Sequence, residues 1–137
     1  MNIVVAGGTG FIGQALCAAL LHGGHRVSLL TRHAGQVLHR PDAHMNVVEW
    51  NARDTGPWEE LLEGADAVVN LAGAPIADGR WTDERKRLLT ESRVLTTRLL
   101  VRALSRRSSK PPVFISASGI GYYGASDDRL LDEGAAR

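Results

Sequence analysis

The sequence predicts an α/β domain, a doubly wound parallel sheet with helices on both faces, and three observations carry that prediction. Strand-like and helix-like segments alternate along the chain from its first residues. The strand-like runs are apolar at nearly every position, as in strands covered on both sides. A cluster of glycines stands where the first strand meets the first helix, in "VVAGGTGFIG" from Val4 to Gly13. At 137 residues the chain suits one domain with a real core.

The first strand is read over Ile3 to Ala6, apolar throughout and bounded by glycine. Phe11 to His22 places Ile12, Leu16 and Leu20 at helical spacing and stops at Gly23-Gly24. "RVSLLT", Arg26 to Thr31, is the second strand, and "RHAGQVLHRPDAHM" a long connection with room for one helical turn. The third strand is expected over Asn46 to Trp50. A brief helix is expected over Pro57 to Leu62, proline being suited to a first helical turn. The fourth strand is "AVVNL", Ala67 to Leu71. Thr82 caps a long helix whose acidic Asp83 and Glu84 suit the positive end of the dipole. Its buried face is expected to carry Leu88, Ser92, Leu95, Leu99 and Ala103. After Pro111-Pro112, "VFISAS" is the fifth strand, Val113 to Ser118. The expected strand order is 3-2-1-4-5.

Composition excludes several functions. A net charge of +1 argues against a surface that coats nucleic acid. The single Cys17 leaves no internal disulfide and fits a reducing compartment. No apolar run approaches the ~18 residues of a membrane span, and no signal peptide is read at Met1, so a cytoplasmic protein is expected. His22, His25, His33, His39 and His44 crowd one region without metal-ligand spacing beside a carboxylate or thiol, and no metal is expected.

The glycines point to a ligand. Gly7, Gly10 and Gly13, or in another frame Gly8-x-Gly10-x-x-Gly13, fit the dinucleotide fingerprint. One glycine permits the tight turn, one lets backbone approach a pyrophosphate, and one lets helix and strand pack closely. The phosphates would sit on the bare N–H groups that open the helix. An NAD site commonly has an acid ~20 residues further on, at the end of the second strand. Here Thr31-Arg32-His33 stand there, with no acid before Asp42. Arg32 can pair with a 2′-phosphate and Thr31 can donate to it, which favours NADP over NAD. The alternative for Arg32 is a solvated surface side chain.

These residues resemble the short-chain dehydrogenase/reductase superfamily of the extended, epimerase/dehydratase type. "GGTGFIG" follows the first strand, "NLAG" spans Asn70 to Gly73, and a serine-containing fifth strand leads into "YYG". The run "NLAGAPIADGRWTDERKRLLTESRVLTTRLL" followed by "SASGIGYYG" is similar to an atypical branch, the epimerase family proteins, whose substrates are unassigned. The resemblance covers nearly the whole chain. It implies that residues 1–137 form an NAD(P)-binding Rossmann domain, incomplete after about five strands because members are about twice as long. By the same resemblance Gly7, Gly8, Thr9, Gly10, Phe11, Ile12 and Gly13 hold the pyrophosphate, and Thr31 and Arg32 the adenosine phosphate. Asn51 would lie near the adenine, and Leu71, Ala72, Gly73 and Ala74 would pass beside the ribose and nicotinamide. A small-residue strand end is the plainer reading of "NLAG".

Catalysis of the family type uses a serine after the fifth strand and a Tyr-x-x-x-Lys pair, the lysine lowering the tyrosine pKa. Ser118 matches the serine, with Ser116 next. No such pair exists: the tyrosines are Tyr122 and Tyr123, and the lysines Lys86 and Lys110 lie upstream. Tyr123 is the candidate acid, against a pocket-lining role for both rings. Ser118 has the alternative of a strand-end serine satisfying backbone. Arg80, after the fourth strand, could meet a phosphate or acidic substrate at the carboxyl edge, while neighbouring Trp81 reads as packing. Two functions stay open. One is an NADP-dependent oxidoreductase or epimerase-like protein acting on a small-molecule substrate. The other is a non-catalytic NADP-binding module, a redox sensor or scaffold. The apolar fifth strand is expected to be covered by a missing C-terminal portion or by a second copy.

Overall fold

The computed structural model describes residues 1–37, 43–108, 113–124 and 127–135. His39, Asp42, Lys110, Pro111 and Pro112, used above, lie outside them. Strands β1 (Asn2–Ala6), β2 (Arg26–Thr31), β3 (Met45–Glu49), β4 (Ala67–Asn70) and β5 (Val113–Ser116) alternate with helices α1 (Phe11–His22), α2 (Glu60–Glu63) and α3 (Asp83–Leu104). Short 3-10 turns cover Ala34–Gln36, Pro57–Glu59 and Ile120–Tyr123. The sheet is wholly parallel in the order β3-β2-β1-β4-β5, as the sequence predicts. This is the doubly wound Rossmann arrangement.

Alternation along the strands divides the core in two. Ile3 and Val5 of β1, with Val27, Leu29, Ala67 and Val69, face α1, which contributes Cys17 and the partly buried Leu16, Leu20 and Leu21. Val4 and Ala6, with Leu30 and Val68, face Trp58, Leu62, Leu100 and Ala103 from α2, the turn before it and α3. Trp50 and Trp58 meet edge to face at 5.2 Å, and the Trp58 indole donates to the Asp54 carbonyl at 3.1 Å. Thr82 caps α3 by accepting from the Arg85 amide at 3.2 Å.

Both long helices follow the expected face only in part: Leu16 and Leu20 of α1 and Leu99 and Ala103 of α3 pack on the core, while the rest of each face is shifted. On α1 the buried residues are Gly13 and Cys17, and Ile12 is 68% exposed. The helix comes so close to the glycine turn that only residues without bulk fit beneath it. On α3 the buried residues are Leu89, Thr96, Leu100 and Ala103, whereas Leu88 and Leu95 are each 45% exposed. Thr96 is admitted to the core because its hydroxyl donates back to its own helix, with the Ser92 carbonyl at 2.8 Å and that of Arg93 at 3.1 Å.

Four strands differ at their ends, β1 beginning at Asn2, one residue early, and β4 stopping at Asn70, one residue short. β3 runs one residue earlier than expected, which frees Trp50 to enter the core. β5 stops at Ser116, so Ser118 lies beyond it. The final rung joins the Ala117 amide to the Asn70 carbonyl at 3.0 Å, where β4 itself ends. Val113 and Ile115, in register with Ala67 and Val69, remain 60% and 52% exposed on the α1 face. The expected bare edge is therefore an apolar patch.

Candidate functional site

The carboxyl ends of β1 and β4 bring two loops together. Gly7 leaves β1 with φ +80°, a conformation costly for residues with a side chain, and the Gly10 amide closes the turn onto the Gly7 carbonyl at 3.1 Å. A Cβ on Gly7 would lie 2.6 Å from the Leu71 carbonyl carbon and 2.7 Å from the Ala72 nitrogen. The glycine turn and the loop 71–75 are thus in backbone contact.

The three glycine roles read from the fingerprint fall on separate residues. Gly7 makes the turn. Gly13 makes the close packing, since a Cβ there would meet the Gly7 carbonyl oxygen at 2.4 Å. Gly10 is different: an added Cβ would touch only the Gly7 oxygen, at 3.4 Å, so the space beyond it is open. No side chain caps α1 at Gly10, and no acid stands in its first turn. The helix therefore opens on N–H groups without helical acceptors and on the positive end of its dipole. Gln14 donates to the Thr9 carbonyl at 2.8 Å and fixes the outer wall of the turn. Gly8 faces inward, where a Cβ would strike Leu29 and Cys17. Burial pushes the Cys17 thiol above its ordinary pKa, so it stays protonated beneath the turn.

Around this centre the other predicted residues take varied positions. Thr31 ends β2 buried, its hydroxyl accepting from the His33 amide at 3.3 Å and still holding its own proton to donate. Arg32 is exposed, and among the described residues no acid pairs with it. Asn51 is engaged locally: its Oδ1 accepts from the Arg53 and Asp54 amides at 2.9 Å each, and its Nδ2 donates to Asp54 at 2.7 Å. Its side chain shapes the loop after β3, where Ala52 takes φ 58°. Ser116 pairs in register with Asn70, and Ser118 follows two residues on, exposed. Tyr122 and Tyr123 contact each other edge to face at 5.0 Å, in the turn after β5. Arg80 and Trp81 are exposed between the loop and α3. A shallow cavity at the opposite, amino edge is lined by Asn2, Arg26 and Met45 and holds none of the predicted residues.

Sequence reasoning missed the residues that hold loop 71–75. Asn70 is buried, donates to Thr97 at 3.0 Å and accepts from the Ala72 amide at 3.2 Å. Ser92 accepts from the Ala74 amide at 2.9 Å. Arg93 donates to the Ala74 carbonyl at 3.1 Å and to that of Leu89 at 3.1 Å. Arg85 donates to the Pro75 carbonyl. The available signal was Ser92, a polar residue on the face of α3 expected to be buried.

The glycine turn, the uncapped helix start and the strand order define a nucleotide-binding Rossmann domain. Residues 3–136 match the model of the NAD dependent epimerase/dehydratase family, and the chain belongs to that family. It is 38% identical to epimerase family protein YfhF of Bacillus subtilis over 136 residues, 99% of this chain and 43% of that protein. It superposes on the crystal structure of human epimerase family protein SDR39U1 with NADPH at a TM-score of 0.74 and 32% identity, covering 99% of this chain and 42% of the other. MoeE5 in complex with UDP-glucuronic acid and NAD shares the fold at a TM-score of 0.75, with 23% identity over all of this chain and 43% of that one. The chain spans about two-fifths of the length of the curated relatives it matches. Among the described residues no helix is long and apolar enough to cross a membrane.

Proposed function

We propose that this chain is the coenzyme-binding part of an NADP-dependent oxidoreductase or epimerase-like protein acting on a small molecule. One observation carries the reading: α1 opens uncapped and without an acid, and beside it the space over Gly10 is open. A diphosphate matches that niche in charge and in its demand for backbone donors. Gly7 to Gly13 would hold the diphosphate, and the 71–74 segment would border the ribose and nicotinamide. Thr31 and Arg32 would take the 2′-phosphate, a preference supported by the absence of an acid at the end of β2 and by the NADPH in the human relative. The Asn51 amide is taken up by its own turn, so contact with adenine there would come from backbone.

When bound, the nicotinamide would supply hydride chemistry, and the protein placement. Ser118 offers a hydroxyl past the end of β5, Tyr123 a phenol, and Arg80 a cation for a phosphate or carboxylate on the substrate. A second reading is a binding module that keeps the coenzyme niche without proton transfer, residues 1–137 holding no Tyr-x-x-x-Lys pair. The exposed Val113 and Ile115 support a domain that continues over β5 in the longer protein. A cytoplasmic setting is supported by the buried, unpaired Cys17. Titration with NADPH and NADH, followed by a carbonyl panel with bound NADPH, tests these readings. Binding with turnover supports the enzyme and binding without turnover the module; no binding of either nucleotide overturns both.

A further inference from the structure

We propose that Arg93 is a positioning residue, a latch that sets loop 71–75 for the ribose–nicotinamide half of the coenzyme; this rests on the coenzyme reading above. The loop is held against α3 through its backbone. The Ala74 amide donates to Ser92 and the Ala74 carbonyl accepts from Arg93, so both polar groups of one residue are bound by successive helix residues. The other arm of the guanidinium reaches back to the Leu89 carbonyl, which also accepts from the Ser92 hydroxyl at 3.0 Å. Arg85 takes the next carbonyl, that of Pro75. On the opposite side the same loop touches the glycine turn, at Leu71 and Ala72 against Gly7.

Gly73 shows why the latch is an arginine. A Cβ on Gly73 would come 2.9 Å from Arg93 Cζ, 3.2 Å from its Cγ and 3.2 Å from Nη1. The missing side chain of Gly73 therefore makes room for the guanidinium, which lies over the loop while its two ends serve two carbonyls. A planar fork presents donors to the two carbonyls from separate arms, whereas an ammonium carries all its donors on one atom. Loop 71–75 is thus held in one shape between the phosphate-binding turn and α3. A shift there would be felt at the nicotinamide end and not at the adenine end, which is bordered by the end of β2.

Two variants test the latch. Arg93→Lys keeps charge and stem but loses the fork. Gly73→Ala puts a methyl against Arg93, at its Cζ, Cγ and Nη1, and displaces the guanidinium. In the full protein both are expected to weaken NADPH binding about tenfold, the loss of roughly one hydrogen bond to the loop. Affinity for 2′,5′-ADP, which lacks the nicotinamide half, is expected to stay unchanged. Unchanged NADPH affinity in both variants, or equal losses for the two ligands, would overturn the proposal. Hydrogen exchange in the ligand-free protein reads the latch separately: Arg93→Lys should speed exchange at the Ala74 amide, and unaltered exchange overturns it. A wild-type protein that binds neither ligand would instead remove the coenzyme reading.

Discussion

Gly13 stands against the carbonyl of Gly7: a Cβ built on Gly13 would lie 2.4 Å from that oxygen and 2.5 Å from Gly8 Cα. Both neighbours are backbone, so no rotamer change relieves the contact. Gly13→Ala is therefore expected to cost about 1–3 kcal/mol by overpacking and to lift α1 from the turn. Gly64→Ala is the control, because nothing lies within 4 Å of its added Cβ and its φ of −97° suits alanine. Its effect should stay within about 0.5 kcal/mol. Urea denaturation midpoints of the two variants make the comparison.

Arg32→Asp tests the choice of dinucleotide. A hydrogen bond to a charged group contributes about 1.5–3 kcal/mol, roughly tenfold to a hundredfold in affinity. The variant should lose that much for NADPH and far less for NADH. Equal losses for both nucleotides would remove the 2′-phosphate assignment.

The face that α3 turns inward has an energetic signature. Leu100 is fully buried and Leu95 is 45% exposed. Leu100→Ala should destabilise by about 2–5 kcal/mol, and Leu95→Ala by roughly 1 kcal/mol or less. Thermal unfolding of both variants reports the difference. The opposite ranking would restore the face that periodicity suggests.

Cys17 gives the fold an alkaline dependence. Burial raises its thiol pKa in the folded chain, while the unfolded thiol titrates near ~8.5. Above that pH the unfolded state releases a proton that the folded state retains. Stability from this group is complete below ~8.5 and declines as pH rises through the folded value. Cys17→Ala removes the dependence. Its deficit against the wild type should therefore narrow between neutral and alkaline pH, as read by denaturant titration at each pH.

What was legible in the sequence was local. The glycine turn could be read because its spacing is a local pattern, with Gly13 answering to Gly7 six positions back, although Gly7 itself also answers to the distant Leu71 and Ala72. The five strands could be read because they are short and mostly apolar. The α3 face could not, because a threonine that bonds its own helix enters the core as readily as a leucine. The local engagement of the Asn51 amide, which closes a turn three residues long, has no periodic signal either. The Arg93 latch was hidden by separation, since it joins residues 19 apart on two elements whose approach no periodicity encodes. Gly73 was noticed as part of "NLAG", and its reason lies in that distant arginine.

The chain has three tryptophans, and their placement makes it optically uneven. Two indoles sit locked together in the interior, at 5% and 3% exposure, while Trp81 is 60% open just ahead of α3. A water-borne quencher such as iodide would reach one emitter and spare two. Light from the sheltered pair would thus track unfolding of the core, and the quenchable fraction would follow the carboxyl-edge segment that leads into α3.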